Sequence, residues 1–344
     1  LANCYFLNAI TCAPERGDFL GNYANLLLEQ GHASEALQYC QRALDKDQPR
    51  PELLNTLGNA QYKTGEFANA VESYRQALLR QPDYPEALNN LGQALSAQQD
   101  YFGAEACFHQ ALSLQPYFHE AAINLEQVDT RWLKPIEGGN VKLQRYQPEA
   151  VDFLWDCYHN QEFMHFYNRF MQLPVDKAHF ATQLTKQAQA HPLAEHAINW
   201  IISSQDENYH YRPVGIANLV DIQPLHRRAE FLIGIPEHGN KAALAATTAT
   251  LLIMDFAFNQ VRLNKLTTFI YSDNSASLKN NVALGFVRES LLRDHLWHDA
   301  SRQFIDLYGN SMTLADFRGN SRLARVSQRL LKRDVTAELI NEVG

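Results

Sequence analysis

Small and apolar residues recur every 34 positions over the first third of the chain. Two series of alanines keep this spacing: Ala2, Ala36, Ala70 and Ala104, and Ala9, Ala43, Ala77 and Ala111. Gly58 and Gly92 are also 34 residues apart, and Pro82 and Pro116 hold the same phase. A period of this length is typical of stacked helical repeats, because each helix pair buries its apolar face against its neighbours. The pattern therefore predicts an all-α solenoid.

Within one period the residues follow a set order. Over residues 51–84 the chain reads Leu57-Gly58, Gly65, Phe67, Ala70, Tyr74, Ala77 and Pro82. This order resembles the tetratricopeptide repeat, and the resemblance covers residues 1 to about 130. It predicts a half repeat at 1–16, full repeats at 17–50, 51–84 and 85–118, and a capping helix at 119–130. Because a half repeat exposes an unpaired face, we expect further repeats before residue 1.

The first helices of these repeats carry amides that can donate to and accept from an extended peptide. They are Asn22, Asn25, Asn55, Asn59, Asn89, Asn90 and Gln93. The resemblance implies a protein or peptide partner on this array, and the alternative is that the amides are solvated surface positions. Residues 1–130 hold 16 acidic and 7 basic residues. We therefore expect the array to attract basic segments of a partner.

The pattern changes after residue 129. Residues 131–140 are rich in proline and glycine, which predicts a linker. Apolar and β-branched runs then alternate with helical stretches: strands near 141–143, 197–203, 215–222, 230–235, 266–271 and 304–308, and helices near 148–157, 179–191 and 242–259. This mixed order predicts an α/β domain over residues 141–317. Residues 318–344 are predicted as an amphipathic helix and tail.

One strand of this domain leads into a loop and a long helix. The strand ends in Ile235-Pro236, and a turn at 237–241 opens a helix that ends near Phe258. Free amides and the helix dipole at such a helix start favour a phosphate. Further motifs accompany this unit. Arg228-Ala229-Glu230 opens the strand, and four segments follow the helix along the chain: Asn274-Ser275-Ala276-Ser277, Leu284-Gly285-Phe286, Leu292-Arg293-Asp294-His295 and Phe304-Ile305-Asp306-Leu307. Together they resemble the GNAT superfamily of acyltransferases, in its RimJ/RimL branch.

This resemblance implies a mixed central sheet whose fourth and fifth strands splay apart around the pantetheine arm of acetyl-CoA, the cosubstrate. The backbone of the fourth strand and the loop after it would bind pantetheine and pyrophosphate: Phe231, Leu232, Ile233, Ile235, His238, Gly239, Asn240, Lys241, Ala242 and Ala243. Asn274 and Ser277 would also contact the cofactor. The loop departs from the family pattern, since only Gly239 clearly matches, and Lys241 offers charge instead.

The same resemblance suggests catalytic roles. Glu230 lies where several family members place a general base, and its alternative is a strand-edge charge paired with Arg227 or Arg228. Ser277 matches a proposed acid of the amino-terminal acetyltransferase branch, and its alternative is a helix cap. Asn281 takes the place of a thiolate-protonating tyrosine and is a poor acid.

His295 and Trp297 lie near the predicted acceptor side. A histidine there can act as a base or bind the acceptor, and the alternative is a plain surface position. The thirteen histidines of the chain show no HExxH spacing, so the sequence predicts no metal. Its five cysteines form no CxxC pair, which favours reduced thiols and a cytoplasmic protein.

Composition narrows the function further. The chain is 46% hydrophobic and 20% charged with a net charge of −8, which is typical of a globular protein and argues against a nucleic-acid partner. No apolar run approaches the roughly 18 residues of a membrane span. We expect an acetyl-CoA-dependent N-acetyltransferase whose amine acceptor is a protein or peptide amino group. The alternatives are a nucleotide-linked amino sugar as acceptor, or a non-catalytic scaffold with a degenerate CoA-binding domain.

Overall fold

The computed structural model describes residues 11–12, 16–46, 48–298 and 301–338. By its contacts the chain divides into two compact units, Leu1–Thr130 and Arg131–Gly344. Most of the half repeat predicted at 1–16 lies outside the described residues, as does the end of the predicted tail from residue 339 onward.

The described part of the first unit is helical. Its helices are α1 Gly17–Glu29, α2 Ala33–Leu44, α3 Pro51–Lys63, α4 Phe67–Arg80, α5 Pro85–Ala97, α6 Tyr101–Leu114 and α7 His119–Gln127. Helices α1 and α2, α3 and α4, and α5 and α6 pack as successive pairs, and α7 follows the last pair. Pro51 and Pro85 begin α3 and α5, where a missing amide costs no hydrogen bond. The predicted helical-repeat solenoid is confirmed.

Glycine allows the two helices of a pair to approach closely. A Cβ atom at Gly58 would lie 2.5 Å from Cε1 of Tyr74, and one at Gly92 would lie 2.6 Å from Cε1 of Phe108. Both rings are almost fully buried. In each repeat an aromatic ring of the second helix packs against the first helix and leaves no room for a Cβ atom there. Because this contact recurs once per repeat, the glycines recur every 34 residues.

Several asparagines that were expected to bind a peptide partner instead form hydrogen bonds between repeats. Nδ2 of Asn90 donates to Oδ1 of Asn55 at 3.0 Å, and Nδ2 of Asn124 donates to Oδ1 of Asn89 at 2.9 Å. Each pair spans 35 residues and therefore joins successive repeats. Asn55 and Asn89 are buried, so these two are not available to a partner. The exposed members of the predicted set are Asn22 and Asn25.

The second unit is built on one eight-stranded sheet. Its strands are β1 Ile136–Gly138, β2 Val141–Arg145, β3 Ile198–Gln205, β4 Tyr211–Gln223, β5 Arg228–Gly234, β6 Lys265–Tyr271, β7 Val287–His298 and β8 Gln303–Thr313. Their order across the sheet is β1-β2-β3-β4-β5-β6-β8-β7, with β1 and β7 at the two edges, so the sheet is not closed. All neighbours are antiparallel except β5 and β6, which are parallel. The predicted mixed sheet is confirmed.

Helices cover both faces of this sheet. They are α8 Val151–His159, α9 Gln161–Tyr167, α10 Lys177–Gln189, α11 Pro192–Glu195, α12 Asn240–Asp255, α13 Ser275–Leu284, α14 Leu314–Arg318 and α15 Ser321–Leu331. Helix α12 lies in the main core with one face of the sheet. Helices α8, α9 and α10 form a second cluster with Ile201 and Ile216 on the opposite face.

Helix α12 continues through a π-helical turn, Phe256–Gln260. Asn240–Gln260 is therefore a 21-residue helix with a mean hydropathy of 1.4 in its most apolar window, long and apolar enough to span a bilayer. The sequence prediction that no such run exists is wrong. Since 67% of that window is buried inside the unit, its apolar composition is explained by its place in the core.

The predicted boundaries of the second domain need two corrections. Residues 131–140 are not a free linker, because β1 pairs with β2 and Trp132 packs edge-on against Phe256 at 5.3 Å between ring centres. Helix α15 and the segment after it belong to the same core, since Leu323 and Val335 are buried in it. Strand β1 was hard to place because Gly138 and Gly139, which form its tight turn to β2, also suit a linker. The tail was hard to place because its core partners are distant along the chain.

Candidate active site

The parallel strands β5 and β6 separate after three residues. They pair only at Arg228 with Lys265, Ala229 with Leu266, and Glu230 with Thr267. Beyond Glu230, strand β5 keeps its pairing with β4 alone as far as Gly234. Backbone polar groups on its other edge need partners, so an extended ligand can lie there like a strand. We call this opening the fork.

Helix α9 bridges the fork on the sheet face opposite α12. At one end, a Cβ atom on Gly234 would lie 2.6 Å from the rings of Phe163 and Tyr167. At the other end, Arg169 donates to both carboxylate oxygens of Asp273 at 2.9 and 3.0 Å. Asp273 follows the carboxyl end of β6. Both arms of the fork are thus tied to one short segment, residues 163–169.

Glu230 lies where the fork begins. Its neighbours Ala229 and Phe231 are buried in the core, so the strand pleat directs Glu230 to the opposite face. The side chain is half-buried, and burial raises its pKa, with a further contribution from the charge of Asp221.

The alternative pairing of Glu230 with a neighbouring arginine is wrong. Arg228 donates to Oδ2 of Asp221 at 2.7 Å instead. Within the described part of the chain, Glu230 has no hydrogen bond or ion pair. A half-buried carboxylate with a raised pKa and no such partner is suited to accept a proton.

The loop after β5 ends in a helix start suited to an anion. Gly239 precedes α12 with φ +117° and ψ 179°, a conformation that essentially only glycine adopts. The first helical hydrogen bond runs from the Ala243 amide to the Gly239 carbonyl at 3.0 Å. The amides of Asn240, Lys241 and Ala242 precede it and remain available, next to the positive end of the helix dipole.

The amino-terminal end of α12 shows which of the residues predicted to bind pyrophosphate have free polar groups. The Ala243 amide donates within the helix to the Gly239 carbonyl, so the predicted contact of Ala243 with the cofactor stays a prediction. Lys241 is exposed, with its Nζ 3.6 Å from Glu207, and Nε2 of His238 is 3.5 Å from Glu162. Both side chains are free to turn toward an anion, because ion pairs this exposed are weak.

Asn274, rather than Ser277, caps α13. The Asn274 side-chain oxygen accepts from the Ser277 amide at 3.0 Å. Ser277 lies in the first helical turn and is half-buried, so its predicted alternative as the cap is wrong. Nδ2 of Asn281 donates to Thr268 at 3.1 Å, while its Oδ1 is buried without a partner among the described residues.

The two residues expected on the acceptor side, His295 and Trp297, both lie exposed on β7. Trp297 stacks edge-on against Phe304 at 5.1 Å, and His295 is exposed on the same strand, β7. His298, at the end of β7, instead has its ring 5.4 Å from that of His165 on α9. It therefore reaches the helix that bridges the fork, which His295 does not.

Sequence reasoning missed three residues beside the fork: His165, Arg169 and Asp273. Burial lowers the pKa of His165, and the charge of Arg169 lowers it further. Burial alone would raise the pKa of Asp273, but the hydrogen bonds and charge of Arg169 hold it below its usual value. The one signal for Asp273 was its place directly after a buried strand, where functional side chains are common.

Comparison with known proteins agrees with this architecture. Tetratricopeptide-repeat models match residues 3–51, 58–99 and 85–118, and a model described as "Acetyltransferase (GNAT) domain" matches residues 140–287. An uncharacterized N-acetyltransferase of Bacillus subtilis is 22% identical over 176 residues, which are 50% of this chain and 94% of that protein.

Two similarities involve spermidine acetyltransferases. Spermidine N(1)-acetyltransferase of Escherichia coli is 39% identical over 79 residues, and the chain spans 41% of that protein's length. A structure of spermidine N-acetyltransferase from Vibrio cholerae in complex with CoA and spermine superposes with a TM-score of 0.43 and 18% identity, covering 52% of this chain and 97% of that one. The RimJ/RimL branch stays a prediction. Residues 3–118 are therefore tetratricopeptide repeats, and residues 140–287 form a GNAT acetyltransferase domain.

Proposed function

We propose that the chain transfers an acetyl group from acetyl-CoA to a primary amine, with Glu230 as the base. The observation that carries this proposal is the half-buried carboxylate, unpaired among the described residues, at the point where β5 and β6 separate. GNAT acetyltransferases use acetyl-CoA, which supplies an activated acetyl thioester when bound.

The residues present fit this cosubstrate. The free edge of β5 from Phe231 to Ile233 offers backbone groups to an extended pantetheine arm. The amides of Asn240, Lys241 and Ala242 suit the pyrophosphate. A Cβ atom added at Gly239 would meet no described atom within 4 Å, so a ligand can approach the backbone there.

Glu230 would act on the amine. A protonated amine is not a nucleophile, and a carboxylate near it can take the proton directly or through one water. Burial raises the pKa of Glu230, which makes its carboxylate a stronger base than that of an ordinary glutamate. Ser277 is the candidate acid for the departing thiolate, since Asn281 cannot donate a proton in that way.

The favoured acceptor is a protein or peptide amino group, with the repeats binding the protein that carries it. The support is the charge of residues 1–130, which hold 16 acidic and 7 basic residues. Such a surface attracts basic segments. Acetyl-CoA as cosubstrate also agrees with the proposed cytoplasmic location.

A polyamine is a second candidate, favoured by the 39% identical segment of spermidine N(1)-acetyltransferase. Polyamines are cations, and their sites need carboxylates. Glu230 at the fork has no ion pair among the described residues, and Asp273 lies beside the fork, where Arg169 holds it. A nucleotide-linked amino sugar is the third candidate acceptor.

Thiol release from acetyl-CoA by the full chain tests these candidates. Short basic peptides, spermidine and an amino sugar nucleotide would be compared at equal concentration, with acetyl-CoA alone as the background. We expect the highest kcat/KM with the peptides. Faster turnover of spermidine or the sugar would replace the proposed acceptor. Tight CoA binding without release in any reaction would favour the non-catalytic scaffold.

A further inference from the structure

Three side chains of types that can ligate a metal ion meet beside the fork. His165 comes from α9, Asp273 from the turn after β6, and His298 from the end of β7. One ligand atom of each lies within 4.8 Å of the other two. The three residues are more than 20 positions apart in the sequence, so their meeting is a product of the fold.

Arg169 contacts two members of this cluster, His165 and Asp273. Its Nε donates to the backbone carbonyl of His165 at 2.9 Å, and its two terminal nitrogens hold Asp273. The Arg169 side chain is only 7% exposed and its guanidinium lies 4.0 Å from the ring centre of Tyr271. It therefore fixes the orientation of the carboxylate and ties it to the helix that carries His165.

His298 is also oriented by an outer contact, and His165 already faces another member of the cluster. Nδ1 of His298 lies 2.6 Å from Oγ of Ser301, which leaves Nε2 free to ligate. Nε2 of His165 lies 3.9 Å from Oδ2 of Asp273. Ligating histidines usually have their second ring nitrogen held in this way, and ligating carboxylates usually accept outer hydrogen bonds.

We propose that His165, Asp273 and His298 bind a divalent transition-metal ion of the Zn²⁺ class. Two imidazoles and one carboxylate suit zinc, with a fourth position for water. Ligand bonds of about 2.1 Å place the ligand atoms about 3.4 Å apart, so the side chains must close in by about 1 Å. The proposal differs from the sequence prediction of no metal.

The bound ion would join three elements that meet beside the fork. It would fasten α9 to the ends of β6 and β7, and so hold the segment that covers the fork. Arg169 is a positioning residue for this site, because it acts through Asp273 and the backbone of His165.

Metal titration of the full chain tests the proposal. After chelator treatment, Zn²⁺ affinity is measured by competition with a chromophoric chelator, and Co²⁺ is added to record its absorption spectrum. We expect one tight site per chain and intense visible cobalt bands of a four-coordinate site. His165→Ala/His298→Ala should abolish both signals. His226→Ala, which removes an exposed histidine in the turn between β4 and β5, should leave them unchanged.

Arg169→Gln gives a graded test. Loss of an outer-shell partner should weaken Zn²⁺ binding by about 10–100-fold without removing the cobalt bands. The proposal is overturned if the unaltered chain binds Zn²⁺ no more tightly than the double variant, or if its cobalt spectrum is that of a six-coordinate aqua ion. Because the cobalt spectrum uses the unaltered chain, it decides the matter even if a variant fails to fold.

Discussion

At the scale of single residues, conformation and environment matter more than residue type. Glu230 is one of 38 acidic residues, and what distinguishes it is its half-buried place at the fork without a partner among the described residues. Gly239 is likewise distinguished by a backbone conformation closed to other residues. The sequence indicated both through the family resemblance. It could not show that Arg228 pairs with Asp221, since that contact depends on the bulge in β4 between Val220 and Gln223.

Gly239→Ala tests the anion site at this scale. Alanine at φ +117° costs about 1–3 kcal/mol of backbone strain, so the loop must move and carry the free amides of α12 with it. We expect CoA to bind about tenfold more weakly, which corresponds to about 1.4 kcal/mol, as measured by calorimetric titration.

Gly319→Ala is the matched control, because Gly319 has φ −77° and an added Cβ meets only the Ala315 carbonyl oxygen at 3.4 Å and the Asp316 carbonyl oxygen at 4.0 Å. Equal CoA affinity for Gly239→Ala and the unaltered chain would exclude this loop from the binding site.

At the scale of elements, local pattern and distant pairing explain what could be predicted. The repeat helices were predictable because each pair lies within one 34-residue period and its contacts are close in sequence. Strand β1 was misassigned because the glycines of its tight turn to β2 also suit a linker. The tail after α15 was misassigned because its partners lie far along the chain. The cluster of His165, Asp273 and His298 was missed for the same reason, since no spacing motif connects three separate elements.

The tail after α15 offers a prediction at this scale. Arg333 donates to both oxygens of Asp255, at 2.7 and 3.0 Å, and Asp255 is 2% exposed. Arg333→Gln would leave that buried carboxylate without its cation. Because the Arg333 side chain is 46% exposed and Asp255 keeps hydrogen bonds from Asn259 and Gln260, we expect the free energy of unfolding to fall by about 1.5–2 kcal/mol, measured by urea denaturation.

Lys332→Gln serves as the control for this change. It removes the adjacent positive charge, whose Nζ contacts the Arg329 carbonyl at 3.2 Å. A small effect of both substitutions would mean that the Arg333–Asp255 ion pair does not stabilise the second unit.

At the scale of the whole molecule, the net charge of −8 is unevenly distributed. Residues 1–130 carry a net −9, while residues 131–344 hold 23 basic and 22 acidic residues. A nearly neutral catalytic unit can accept the polyanionic CoA, and an acidic repeat unit attracts basic segments. This charge distribution supports the proposal that a basic partner binds the first unit and CoA the second.

Salt dependence of peptide binding tests this division. Binding of a basic peptide to the full chain should weaken by about tenfold or more between 50 and 500 mM salt, because the Debye length falls from about 14 to about 4 Å. An uncharged peptide of equal length is the control, and CoA affinity is measured in the same series. Salt-insensitive binding of the basic peptide would contradict the electrostatic account of the repeats.

Glu230 is proposed to take the proton of the amine. The most direct measurement is the pH dependence of kcat for the unaltered chain and for Glu230→Gln. Because burial raises the pKa of Glu230, the rate of the unaltered chain should fall as the pH drops through a value above that of an ordinary glutamate. Glu230→Gln should lower kcat by about 10²-fold and remove that acidic limb. An unchanged profile in the variant would contradict the account.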